Sequence, residues 1–185
     1  TVDAIRAKLL PLDDVTAARV YENDTDVTDS FGRPPSSLHA LVIGGDEQEI
    51  IDVIGDDKPA GTQTFGSIDG TYTTSQGQEI TLHFDRPTEV PIYIAITVTT
   101  DPDTFPADGA DSIKQALADY GDATFSIGDD VIFYKLYKPI EDIVGIISVD
   151  MYIGTSDPAT SQNNIDISDI EVSVFDTATI SVTVV

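Results

Sequence analysis

The chain is 185 residues long and carries nine Lys and Arg against 33 Asp and Glu, a formal net charge of −24. Such a surface repels nucleic-acid phosphates and anionic lipid headgroups, which argues against direct nucleic-acid binding; no apolar run is long enough to span a bilayer, and the absence of cysteine excludes disulfides and thiolate metal sites. A hydrophobic content of 41% is enough to bury a core, and the length suits one medium domain or two small ones.

Taken in order, residues 2–10 place Val2, Ile5 and Leu9 at helical spacing, with Ile5, Leu9 and Leu10 the expected buried contacts and Pro11 the stop. This segment looks like a helix and not a secretion signal, so the chain is expected to start partway through a longer protein. Residues 15–22 read as a strand, 22–35 as a polar turn, and 37–43 (SLHALVI) as a second strand with apolar residues on both faces. Gly44-Gly45 breaks that strand. Asp46 with Glu49 three residues later forms a capping-box pattern, and Ile50, Ile51 and Ile54 give the following helix its apolar stripe, ended by Gly55 and Pro59. Residues 68–84 look like a hairpin turning at Gln76-Gly77.

Residues 92–99 alternate cleanly, with Ile92, Ile94, Ile96 and Val98 on one face, and Pro91 is tolerated at the strand's start. A proline-stiffened turn leads to a helix capped by Asp108 or Asp111. Its stripe is Ile113, Ala116, Leu117 and Tyr120, and Gly121 fits the left-handed position after its end. Residues 129–138 (DDVIFYKLYK) suggest a second helix capped by Asp129 or Asp130 and stopped by Pro139, with a strand as the alternative because the segment is apolar on most sides. Residues 146–153 form a strand with Ile147, Val149, Met151 and Ile153 inward. Residues 154–164 are a polar loop, and the tail alternates at Ile180, Val182 and Val184. The fold class expected is α+β: an N-terminal module over residues 1–66, a connecting hairpin over 67–86, and a C-terminal module over 87–185.

Few residues suggest chemistry. Asp24, Asp26 and Asp29 with Gly32 resemble an oxygen-ligand calcium loop, but they miss its regular spacing and its closing Glu. Asp101, Asp103, Asp108 and Asp111 are explained more simply by a turn and a helix cap. Gly44-Gly45 could cradle a phosphate, except that Asp46, Glu47 and Glu49 already occupy the helix start where the anion would sit. His39 and His83 stand in separate strands without a partner at ligand spacing, and no nucleophile elbow is present. No catalytic, cofactor-binding or metal-binding residue is therefore assigned. The most unusual cluster is Phe133, Tyr134 and Tyr137 beside Lys135 and Lys138, read as a core helix with snorkelling lysines or as a candidate subunit contact.

The segments RPTEVPIYIAITVTTDPDTFPADGADSIKQALADYG, FSIGDDVIFYKLYKPI and GIISVDMYIGTS, with the earlier RVYENDTDVTDSFGRPPSSLHALVIGGDEQEI and KPAGTQTFGS, resemble in order the C-terminal half of the baseplate J-like proteins of contractile phage tails. The resemblance runs from about Val15 to Ile180. It implies a structural wedge subunit of a phage or tail-like injection machine, not an enzyme, with no cofactor. It further implies other baseplate and tail proteins as partners, an oligomer in the assembled particle, and a place in the virion tail baseplate after assembly in the bacterial host cytoplasm. Family members carry an additional N-terminal portion, so contacts made by that portion are not expected here. An acidic chain also suits a ring around a DNA channel, where like charge avoids sticking, and equally a salt-rich habitat that screens the repulsion. The alternative reading is an acidic surface-binding module such as an adhesin or receptor-binding domain. A carboxylate hydrolase stands third, because 33 carboxylates always offer pairs.

Overall fold

A computed structural model describes residues 1–185. The chain is α+β and divides into two compact units, Thr1–Pro87 and Thr88–Val185.

The first unit opens with α1 (Val2–Leu9), whose Ile5 and Leu9 are buried as their spacing predicts, whereas Leu10, expected to be buried with them, caps the helix end and is exposed because it falls off the apolar stripe. Strands β1 (Ala17–Asn23) and β2 (Ser37–Ile43) pair antiparallel, and the short β3 (Gln63–Phe65) joins β2 in parallel. As the central strand, β2 is buried on both faces, which is why SLHALVI lacks polar alternation. Helix α2 (Glu47–Asp57) starts where the capping pattern places it. The Asp46 carboxylate accepts from the Gln48 and Glu49 amides, satisfying donors that a helix start leaves free. The helix runs through Gly55 instead of ending there. Gly55 lies against the Tyr72 ring, which would meet an added Cβ at 2.3 Å.

The hairpin consists of β4 (Ile68–Thr73) and β5 (Glu79–Phe84). It is part of the first unit and not a connector. Leu82 and Phe84 are buried in the same core as Ile5, Leu9, Leu38, Ala40, Val42 and the three α2 isoleucines. The amphipathic alternation read as a connecting hairpin is the footprint of this packing.

The second unit is a three-stranded sheet in the order β7 (Ile146–Gly154), β6 (Thr88–Thr100), β8 (Glu171–Val184), with α3 (Gly109–Thr124) packed against it. Central β6 pairs antiparallel with β7 and parallel with β8. Pro91 falls before the β7 ladder begins at Tyr93, where β6 still has one unpaired side. Ile92, Ile94, Ile96 and Val98 are buried as alternation predicts. In β8 the register jumps from Phe175 opposite Ile92 to Ile180 opposite Ile94. Residues 176–179 therefore bulge, and the alternation of the tail begins only after them.

Three local expectations are corrected. Helix α3 (Gly109–Thr124) continues past Gly121, which is buried inside it against the Phe175 ring, where an added Cβ would lie 2.3 Å from the ring. Gly121 serves close approach, not a left-handed cap. Asp108 holds the N-cap position, but its side chain makes no capping hydrogen bond. Ile147 does not point inward; it is 68% exposed, because the ladder slips between Thr99 and Thr100 and leaves it unpaired.

Candidate functional site

The aromatic and lysine cluster lies on a 3-10 helix, Phe133–Ile140, and not on the α-helix expected over 129–138. The carboxylates expected to cap that helix are engaged elsewhere. Asp129 accepts from the Ser126 amide at 3.0 Å and Asp130 from the Ile167 amide at 2.8 Å. Val131 exchanges backbone hydrogen bonds with Ile165, which keeps it extended. Helical structure can therefore start only at Phe133, and Pro139 inside the segment removes a donor that a continuing α-helix would need.

The segment divides its residues cleanly. Leu136 and Ile140 are buried in the core of the second unit. Phe133 and Tyr137 are half-buried and meet edge to face, with ring centroids 5.6 Å apart. Tyr134 projects, 70% exposed. A three-residue period sets Lys135 and Lys138 on one side of the segment. Neither lysine forms an ion pair within the chain, although the second unit holds 17 carboxylates and only one other basic side chain, Lys114. Burial, followed by Asp150 and Tyr152 on β7, raises the pKa of the Tyr137 phenol above 10.0, so Tyr137 stays neutral at physiological pH. The exposed large hydrophobic residues Val144, Ile147, Tyr152, Val184 and Val185 belong to the same unit.

The structure also brings together a polar cluster that spacing did not reveal. His39 faces the side of β2 opposite the helix-packed Leu38, Ala40 and Val42. There its Nε2 lies 2.8 Å from Asp85 Oδ2, and Arg33 Nε donates to its Nδ1 at 3.2 Å. Asp85 is held beside β2 by backbone hydrogen bonds to Ala40 and Val42, and its other oxygen accepts from the Ser67 hydroxyl and amide. Arg33 is buried, lies over the Tyr21 ring at 4.3 Å and the Phe31 ring at 4.7 Å, and reaches Asp29 at 3.4 Å. A carboxylate between the hydroxyl and the imidazole is the wrong order for a nucleophile triad, in which histidine must touch the hydroxyl. Asp85 fastens chain segments here. The available sequence signal was a histidine inside a strand with no exposed face, since a buried imidazole requires partners. It could not show that one of them lies 46 residues away.

The acidic loops resolve into backbone fastening. Asp29 accepts from the Phe31 and Arg33 amides, both at 2.9 Å. Asn23 donates to the carbonyls of Val27, Arg33 and Pro34. Asp101 accepts from the Asp103 amide at 3.0 Å. No three His, Asp or Glu side chains converge on a point that could hold a metal ion. At Gly44-Gly45, both residues have positive φ, and the Arg86 guanidinium takes the carbonyls of Val42, Gly44 and Gly45. This turn is built to receive an arginine and not a phosphate. His83 stands apart from His39 and approaches the Thr64 hydroxyl at 3.5 Å.

One open polar cleft of about 580 Å³ lies in the first unit, lined by Gln48, Asp52, Asp56, Thr71, Tyr72, Thr73 and Ser75. Its carboxylates are already engaged, Asp56 by the Tyr72 hydroxyl at 2.7 Å and Asp52 by the Gln48 amide at 2.8 Å. No helix is long and apolar enough to cross a membrane. Among known proteins, no family model matches the chain and no curated protein matches it.

Proposed function

We propose that this chain is a structural subunit of a contractile-tail baseplate, or of a related injection machine, acting through protein–protein assembly. The observation that carries the reading is the 3-10 segment. An exposed tyrosine and two lysines without internal partners stand on a unit whose other charges are nearly all carboxylates. A protruding tyrosine is the kind of side chain that anchors an interface, and the two unpaired lysines beside it can meet acidic groups of a neighbour. The resemblance to baseplate J-like proteins supports the same reading and supplies its particular assembly.

The test is to place a photo-crosslinking residue at Tyr134 in the chain as produced with its tail particles. Crosslinks to neighbouring tail proteins, lost when Lys135 and Lys138 are both replaced by Glu, are expected. A chain absent from the particles, or present with no crosslink from position 134, would overturn the proposal. The open cleft on the first unit favours the second reading, a surface-binding module. Its hydroxyls, amide and tyrosine are the groups that recognise sugars. A glycan-binding screen in which Tyr72→Ala abolishes a hit would favour that reading.

A further inference from the structure

We propose that Arg33, His39 and Asp85 form an acid-released latch on the loop of residues 24–36. An arginine guanidinium cannot give up its proton, so its Nε can only donate. His39 Nδ1, 3.2 Å away, must therefore be bare, and the ring's single proton sits on Nε2 and is donated to Asp85. Both ring nitrogens are committed, and the closed arrangement requires neutral histidine.

Protonating the ring puts a second hydrogen on Nδ1, facing the Arg33 N–H. That bond cannot survive, and two cations are left in contact. The resulting imidazolium keeps Asp85 as its partner. Arg33 keeps only Asp29, at the long distance of 3.4 Å, and its Nη2 is already a buried donor without a partner. Hydration of the guanidinium then favours its departure. The groups that face the pair are Asp29 from the loop itself, the Tyr21 ring from β1, the Phe65 ring edge from β3, and Asp85 with its hydrogen-bonded Ser67. Only the two carboxylates can offset the added charge, and Asp85 is shared with Ser67.

What departs with Arg33 is defined. The loop is pinned by the Arg33 side chain, by Asp29 holding the Phe31 and Arg33 amides, and by Asn23 donating to the Val27, Arg33 and Pro34 carbonyls, so release loosens the Phe31–Arg33 turn while Asn23 still holds the base of the loop. Release would uncover the faces of Tyr21 and Phe31 now lying against the guanidinium. Burial is the largest influence on His39 and lowers its pKa below 6.5, ahead of the upward pull of Asp85, so release falls in mildly acidic solution.

The experiment is amide hydrogen exchange by NMR on the full chain from about pH 7.5 to about pH 4.5, with the His39 ring titration followed in the same samples. The protection factors of the Phe31 and Arg33 amides are expected to fall about tenfold in step with the ring. In His39→Gln, which offers one acceptor and one donor but no titration, protection should stay level over the same range. Unchanged loop protection in the unsubstituted chain while the His39 ring titrates overturns the latch. So does an equal fall in His39→Gln, which would assign the effect to the carboxylates. If His39→Gln does not fold, the unsubstituted chain decides through coincidence or separation of the two midpoints.

Discussion

Gly121 shows how a single residue's role depends on a partner far along the chain. On an open helix surface, Gly→Ala should add stability, about 1 kcal/mol from backbone entropy. Here the added methyl would stand 2.3 Å from the Phe175 ring, so Gly121→Ala should instead cost about 1–3 kcal/mol. A urea denaturation series reads the sign directly, and Phe175→Leu in the same chain should recover part of the loss. The residues Ala-Asp-Tyr-Gly read locally as a helix end, because only tertiary contact distinguishes a glycine that stops a helix from one that lets another element approach. His39 was opaque for the same reason: its strand was legible, whereas its two partners arrive from a loop and from the end of β5. Linkage gives it a visible consequence. Its folded pKa is lowered from 6.5, so between the two values the unfolded chain binds the proton more strongly, and stability rises with pH through that window. The contribution is complete above 6.5 and is lost as pH falls through the folded value. Asp85, lowered from 3.8 chiefly by the Ser67 hydrogen bonds against the opposing effect of burial, adds a second loss further down. Urea midpoints measured in pH steps should show two descents, and only the upper one should vanish in His39→Gln.

Among the elements, the 3-10 segment separates packing from surface most sharply. Leu136 is fully buried, so Leu136→Ala should cost about 2–5 kcal/mol of stability. Tyr134→Ala and Lys138→Ala touch exposed groups and should change stability by less than about 0.5 kcal/mol; under the assembly role proposed above they should weaken incorporation into particles. Thermal melts and particle incorporation measured on the same variants check the contrast. The sequence showed an apolar, aromatic segment ended near Pro139 but assigned it the wrong helix. Its period is ambiguous when six of ten residues are apolar or aromatic, and Asp129 and Asp130 resemble caps until their acceptors are seen to bind Ser126 and Ile167. Strands β2 and β6 were legible because burial on one or both faces writes its period directly into residue type. The hairpin was legible as a hairpin, but its allegiance was not: alternation says that one face of β5 is covered, not by what.

At the scale of the molecule, each unit has its own core, and each should fold when produced alone. Circular dichroism of residues 1–87 and of residues 88–185 checks this, with a cooperative melt expected from both. Residues 1–87 hold 16 carboxylates and six basic side chains, and residues 88–185 hold 17 and three. Self-repulsion should therefore destabilise both, the second unit more. Urea midpoints should rise with added sodium chloride, and rise further for residues 88–185. The parallel pairing of β6 with β8 has a consequence for synthesis. Residues 88–100 leave the ribosome well before residues 171–184, and the strand pair that completes the sheet joins segments more than 70 residues apart. Until β8 emerges, Ile92, Ile94, Ile96 and Val98 form a nascent hydrophobic strand open along one edge. The first unit can complete its own fold during that delay, while the second must wait for its last strand. Newly made chains are thus most exposed to chaperones and to one another at β6.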